Sequence, residues 1–358
     1  MRALMEQHTT HKHSVEIKKL PNSRIEIKTS VSAVDFDKTR SEALKHIGGE
    51  VELPGFRRGH IPEKVLLARV GEAALLEEMA EIAISKAYPE IIVAEKLDVL
   101  GRPEISITKI AHGNPLEFTI TSAVFPEFTL PDYKKIAAKS AGKHEVVAVT
   151  EEDISNTIDQ IRRMKAERDA QSAGVDFDEH APLPALDDEF VATLGEFKTV
   201  EDLKTKLREN ILIEKTRAAK DKKRVAIMEA IVKETKIELP EIIIAQELAR
   251  MQDEFSADIA RMGLDIEKYL TTAKKTMEEM HAEWRPDAEK RAKIQIIVGK
   301  IADAEHLEPE EEVLVRDTKE LQARYPDTDP SRVRSYMHMI LTNEKVFAFL
   351  EDESGAHA

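Results

Sequence analysis

One short stretch of this chain concentrates side chains suited to recognition. Pro54 to Pro62 reads PGFRRGHIP, and two prolines with two glycines in nine residues make a loop. Gly55 and Gly59 free the backbone for a tight excursion. Phe56 stands at the tip of that excursion. Arg57 and Arg58 are fork-shaped cations that suit RNA phosphates and carboxylates. An exposed aromatic beside two arginines is an anchoring arrangement. Residue types alone leave two readings equal: an anchor, or a structural turn whose Phe56 folds back into a core. Catalysis finds no comparable foothold. The sequence has no G-x-S-x-G, P-loop, G-x-G-x-x-G or H-E-x-x-H pattern. His8, His11 and His13 sit in a polar segment that reads as a frayed, solvated tail. Glu310 to Glu312 fall in a first helical turn, where acids favour the helix dipole over a cation. No enzyme, metal or cofactor is expected.

Composition narrows the class. The chain has 358 residues, 42% hydrophobic, 34% charged and 5% aromatic. That balance suits two or three folded, charge-coated domains leaning toward helix. Cysteine is absent, so disulfides and thiolate metal sites are excluded. No apolar run is long enough for a membrane span, and the N-terminus lacks an apolar signal core; a cytoplasmic location is the expectation. The net charge of −15 is uneven. The first 149 residues carry 21 cations and 21 anions, and the remainder carries 32 and 47. The first part could meet a polyanion through a local basic patch, whereas the second would be repelled along most of its surface.

The elements around the loop follow from periodicity. Val15 and Ile17, then Ile25 and Ile27, alternate around Pro21-Asn22-Ser23 and predict a hairpin. A helix runs from Asp35 and closes at Gly48-Gly49. Another opens at Pro62, breaks at Gly71 and reaches about Leu97. Two strands follow, Glu104 to Lys109 and Leu116 to Phe125, joined by Gly113-Asn114-Pro115. This order predicts an α+β domain with an antiparallel sheet, followed by a large all-α domain. Pro126 to Gly142 reads as a linker. A T-x-x-D box at Thr150 opens a helix bearing Ile154, Ile158 and Ile161. Leu203, Leu207 and Ile211 share a stripe. Ile244, Leu248, Met251, Phe255, Ile259 and Met262 form a strong one, which Met262-Gly263 ends before Asp265 caps the next helix. Further helices carry Ile294 to Ile301, open at Pro309, and open at Asp329-Pro330.

PGFRRGHIPE resembles the G-F-R-x-G-x-x-P signature of the trigger factor family. Gly55, Phe56, Arg57, Gly59 and Pro62 match it, and Arg58 stands where that family usually has lysine, keeping the charge. The similarity runs on through VLLARVGEAALLEEMAEIAISKAYPEIIVAEKLDVLGRPEI to VFPEFTLPDY. LPALDDEFVATLGEFKTVEDLKTKLRENI, KIELPEIIIAQELARM and RPDAEKRAKIQIIVGKIADAEHL resemble the family's C-terminal helices. The resemblance implies an ATP-independent chaperone that docks near the tunnel exit of the large ribosomal subunit and binds nascent polypeptides. It implies a ribosome-binding domain over 1–132 and a helical chaperone domain over 186–358. A homodimer off the ribosome is compatible with it. The rival readings are a ribosome-independent helical holdase or assembly factor, and a prolyl isomerase.

The departure lies between, over 133–185. There the family places an FKBP-like prolyl isomerase, whose pocket needs a closed sheet around several aromatics. Here Phe177 is the sole aromatic between Tyr133 and Phe190. Trp284 reads as standing alone beside Pro286, so no aromatic cluster compensates. The isomerase domain is expected to be missing. Eight of eleven methionines lie at or beyond Met164, and flexible, polarizable Met faces adapt to many partners. Met251, Phe255, Met262, Met277, Met280, Met337 and Met339 are therefore candidate client contacts, with helix–helix core packing as the alternative for each.

Overall fold

The computed structural model describes residues 6–10, 13–57, 59–140, 147–174, 176, 182–195 and 197–355. The chain forms two units, each assembled from separate stretches: 1–129 with 236–296, and 130–235 with 297–358.

The first unit is built on a five-stranded antiparallel sheet of order β1-β2-β3-β5-β4. Its strands are β1 Glu6–Thr10, β2 His13–Leu20, β3 Arg24–Val31, β4 Val99–Lys109 and β5 Leu116–Val124. The hairpin expected around residues 21–23 is present, with Ile17 opposite Ile27. Alternation sends Ile25, Ile27 and Val31 to one face, joined by Leu116, Phe118 and Ile120. Helices α1 Ala33–Lys38, α2 Arg40–Glu50 and α3 Glu63–Ala94 follow β3. Leu75, Met79, Ala80, Ala83, Ala87 and Ile91 of α3 recur at three- and four-residue spacing and close the core over that face.

Three expectations are corrected here. The segment holding His8 and His13 is not a frayed tail: Glu6–Thr10 pairs with His13–Leu20, Thr10 opposite His13. An edge strand is held by backbone pairing and needs no apolar alternation, so EQHTT gave no signal; His11 lies outside the described residues. Gly48-Gly49 does not close its helix. The helix breaks earlier, at Thr39, and then runs through both glycines to Glu50. Gly48 is buried beneath Leu66, whose Cδ2 would lie 3.7 Å from an added Cβ. The strand before the second turn starts at Val99 rather than Glu104. A register shift between Leu100 and Glu104 absorbs the Gly-Arg-Pro that reads as a turn.

Residues 236–296 contribute α8 Glu241–Arg261, α9 Ile266–Ala273 and the first part of α10 Met277–Glu305 to this unit. Met262 ends α8, and the Asp265 side chain accepts the N–H groups of Glu267 and Lys268. Ile237, Leu239, Ile244, Leu248 and Met251 pack with Ala288, Ala292 and Phe128. The Ser23 hydroxyl donates to the Glu238 carbonyl at 2.7 Å.

The second unit contains α4 Tyr133–Ser140, α5 Glu151–Ala173, α6 Asp188–Ala192, α7 Val200–Glu234, the end of α10, α11 Glu311–Arg324 and α12 Pro330–Gly355. Part of the stretch read as a linker is thus helix, with Ala137 fully buried and Lys134 over the Phe349 ring. Its prolines end at Pro131, just where they stop interfering with helix. Ile154, Ile158, Leu203, Ile227, Met228, Ile231, Val346 and Leu350 are buried.

Both long helices start on reciprocal capping boxes, Thr150 with Asp153 and Thr199 with Asp202. Asp153 also meets Lys215 Nζ of α7 at 2.6 Å. The Lys215 hydrogen bond, then those from Thr150, pull its carboxyl down from 3.8 to about 2. A depressed folded pKa contributes stability above pH 4 that is lost as pH falls from about 3.8 toward 2. Asp153→Asn is therefore expected to lower the urea midpoint at pH 5 and to lose that deficit by pH 2. A deficit that did not change with pH would contradict the assignment.

Candidate functional site: the loop between α2 and α3

The loop over 51–62 is two consecutive turns on a tied base. The Phe56 N–H donates to the Leu53 carbonyl at 3.1 Å, and Gly55 holds φ +89. Pro followed by a positive-φ glycine is the central pair of a type II turn. The His60 N–H donates to the Arg57 carbonyl at 3.0 Å, with Gly59 at φ +77 in the third position. The Gly59 N–H reaches back to the Gly48 carbonyl on α2 at 2.8 Å. At the far end Pro62 is the N-cap of α3, and its carbonyl accepts from Val65 and Leu66.

Phe56 and Arg57 stand between the two turns, at the tip. Phe56 is 41% exposed, and Arg57 is exposed without an ion pair among the described residues. Phe56 is thus not folded back into the core. Arg58 lies outside the described residues. Two further connections, unread in the sequence, hold the loop's base. Arg40 of α2 donates to Glu63 at 2.8 Å and to Glu72 at 3.2 Å. Gly71 between those acids holds φ +86 and ψ 158, which realises the expected break in α3.

The seven candidate client contacts separate. Met251 and Met280 are buried and fill the core. Phe255 is half-buried, and Met277, Met337 and Met339 are half-buried too. Met262 is 71% exposed in the turn after α8, beside Leu264. Sequence reading missed other exposed apolar residues: Leu212, Ile213 and Val225 on α7, and Ile105 and Ile107 on β4. Leu212 and Ile213 adjoin Ile211, Val225 lies close to Ile227 and Met228, and Ile105 and Ile107 alternate along a strand, so apolar pattern alone does not separate the exposed members from the packed ones.

Trp284 does not stand alone. Its ring meets Phe255 edge-on at 5.3 Å, and Phe255 meets Tyr269 edge-on at 5.4 Å. The three come from α10, α8 and α9, so only the packing of those helices joins them. The trio is supported by helices rather than by a sheet. Among the described residues no cluster of His, Cys, Asp and Glu could hold a metal, and no helix is long and apolar enough to cross a membrane.

Comparison with known proteins agrees with this layout. The family model for the bacterial trigger factor protein matches residues 13–161, and that for the trigger factor C-terminus matches residues 199–351. Curated trigger factors are similar over most of their length. That of Lachnoclostridium phytofermentans is 23% identical, covering 87% of this chain and 91% of the relative. That of Salinispora arenicola is 26% identical, covering 82% and 81%. The first alignment spans 392 positions, more than the 358 residues here, so that relative carries inserted residues this chain lacks. A solved structure described as "Promiscuous Substrate Recognition in Folding and Assembly Activities of the Trigger Factor Chaperone" has the same fold. Its TM-score is 0.53 at 16% identity, over 94% of this chain and 100% of that one. With matched regions in the family's order at both ends and the signature loop between α2 and α3, this chain belongs to the trigger factor family.

Proposed function

We propose that this protein is an ATP-independent, ribosome-associated chaperone without prolyl isomerase activity. The observation that carries the reading is the loop tip: an exposed Phe56 beside Arg57 on turns tied at both ends, in a chain of the trigger factor family. Phe56, Arg57 and Arg58 dock near the tunnel exit of the large ribosomal subunit, with Gly55, Gly59 and Pro62 shaping the excursion. The phenyl ring supplies a desolvated anchor, and the guanidinium forks pair with phosphate or carboxylate. The acidic remainder is repelled by RNA along most of its surface. Clients meet exposed apolar side chains, Met262 and Leu264 in the first unit and Leu212, Ile213 and Val225 in the second. Half-buried Met277, Met337 and Met339 adapt to them, while Met251 and Met280 support the surface from below. The protein acts in the cytoplasm, where ribosomes and clients are, and two copies are free to pair off the ribosome.

The isomerase question has its own test. Prolyl exchange faces a barrier of about 18–20 kcal/mol, and lowering it takes a pocket that favours the twisted bond. Residues 162–198 fall between the two family matches, and the helical Phe255–Tyr269–Trp284 trio offers no rigid frame around a proline. Exchange of a proline-containing peptide, followed by NMR, is expected to run at the uncatalysed rate while the same sample suppresses client aggregation. Acceleration that persisted after removal of contaminants would overturn the claim.

A further inference from the structure

We infer that Arg40 is a positioning residue for the docking loop, a strap across a glycine hinge in the helix that carries it. The inference rests on the docking reading above. Helix α3 is two segments. Gly71 interrupts it with φ +86, a conformation that only glycine adopts without strain. A Cβ there would meet nothing within 4 Å, so the glycine serves backbone geometry rather than close packing. The short segment, 63–70, is continuous with the loop through Pro62. The long segment, from Glu72, is locked into the core by Leu75, Met79 and Ala83. On the short side Leu66 is buried and Leu67 packs against the core cluster, which resists sliding but leaves rotation about Gly71 free to swing Phe56 and Arg57 relative to the sheet.

Arg40 grips both sides of that hinge from α2. One guanidinium nitrogen donates to Glu63 on the loop side at 2.8 Å, and the other to Glu72 on the core side at 3.2 Å. The fork is what allows one side chain to serve two carboxylates. Its side chain is 26% exposed, against 51% and 49% for the two acids. Arg40 itself starts α2, whose Gly48 carbonyl receives the Gly59 N–H, and Leu66 packs over Gly48. The loop base is therefore referred to α2 at three points, and Arg40 joins both sides of the hinge through its ion pairs. A neighbouring pair supplies an internal control. Lys86 of α3 pairs with Glu42 of α2, joining the same helices entirely on the core side.

The test combines ribosome pelleting with hydrogen exchange on the full-length chain. Arg40→Ala is expected to weaken ribosome binding about fivefold, the size of a partly exposed ion pair. Amide exchange over 63–70 should rise by a similar factor with 75–91 unchanged. Lys86→Ala should leave binding at the wild-type level. Arg40→Lys, a point charge without a fork, should behave like Arg40→Ala. Wild-type binding and exchange in Arg40→Ala, equal weakening by Lys86→Ala, or full rescue by lysine would each overturn the strap. A wild-type chain that failed to pellet would overturn the docking reading instead, and exchange over 63–70 would still decide the strap.

Discussion

Replacing Phe56, Arg57 and Arg58 together by alanine is expected to abolish ribosome association and leave the fold intact. The two halves of that expectation have separate grounds. Association falls because the tip holds the side-chain types that dominate interfaces. Truncating a well-seated aromatic or arginine costs about 2–4 kcal/mol, so losing the set weakens binding at least a hundredfold. The fold survives because the tip contributes no core. Phe56 is exposed, and the closures that shape the loop run between backbone groups of Leu53, Phe56, Arg57, His60, Gly59 and Gly48. Alanine keeps every one of those groups. Thermal unfolding should therefore match wild type within a degree or two, since surface changes stay within about 0.5 kcal/mol. Ribosome pelleting at wild-type level would refute the assignment; a large loss of stability would show that Phe56 is structural.

The other large effect is expected at Arg224, in the second unit. Its guanidinium forms a forked pair with Glu344 at 2.8 and 2.9 Å and donates through Nε to Glu351 at 2.7 Å. It also lies 5.0 Å from the Phe347 ring centre. Three successive turns of α12 are thus fixed to α7 by one side chain that is only 13% exposed. The hydrogen bond to Glu344, then that to Glu351, raises the guanidinium pKa and lowers that of Glu344. Removing Arg224 leaves Glu351, 16% exposed, unmatched, while Glu344, 57% exposed, regains water; the cost is about 1–2 kcal/mol. Lys220, 3.6 Å from Glu351, offsets a part of that. Arg224→Ala should lower the urea midpoint accordingly and raise amide exchange along α12. Arg224→Lys should recover little, because an ammonium cannot make the forked contact and the Nε bond together. Exchange in α12 unchanged by either substitution would show that its apolar face, Val346 and Leu350, suffices.

Much of this molecule is legible in its sequence, and what escapes has identifiable causes. The hairpin, the break at Gly71 and the capping box at Thr150 are local signals: an apolar period, a glycine, a Thr three residues before an acid. The loop itself is legible for the same reason, since Gly55 and Gly59 mark its turns, but the exposure of Phe56 is not, because residue types leave an anchor and a buried turn residue equal. Non-local arrangements leave no such mark. Phe255, Tyr269 and Trp284 stand on three helices, so their contact depends on how α8, α9 and α10 pack. Strand β1 depends on pairing with β2. Gly48 reads as a helix stop until Leu66 is seen lying over it. Arg40 is one cation among many, and only the crossing of α2 and α3 brings Glu63 and Glu72 within its reach. The methionines show the limit of composition: Met251 and Met262 share one apolar period in the sequence, yet the first fills the core of α8 and the second, at its C-cap, is exposed. Ile237, Leu239 and Ile244 pack against Phe128, far away in sequence, so a helical half cut out at Thr150 would lose part of its own core.

A chaperone that works on the ribosome must bind it, and more tightly when a client is emerging. The most direct measurement is co-sedimentation of the full-length protein with ribosomes carrying a stalled, apolar nascent chain, compared with empty ribosomes across a salt series. Binding to both is expected at low salt, with release as salt rises because Arg57 and Arg58 contribute charge contacts, and with tighter binding when the nascent chain is present. Protein that stayed in the supernatant at every salt concentration, while still suppressing aggregation of the same client free in solution, would contradict it and identify a ribosome-independent holdase.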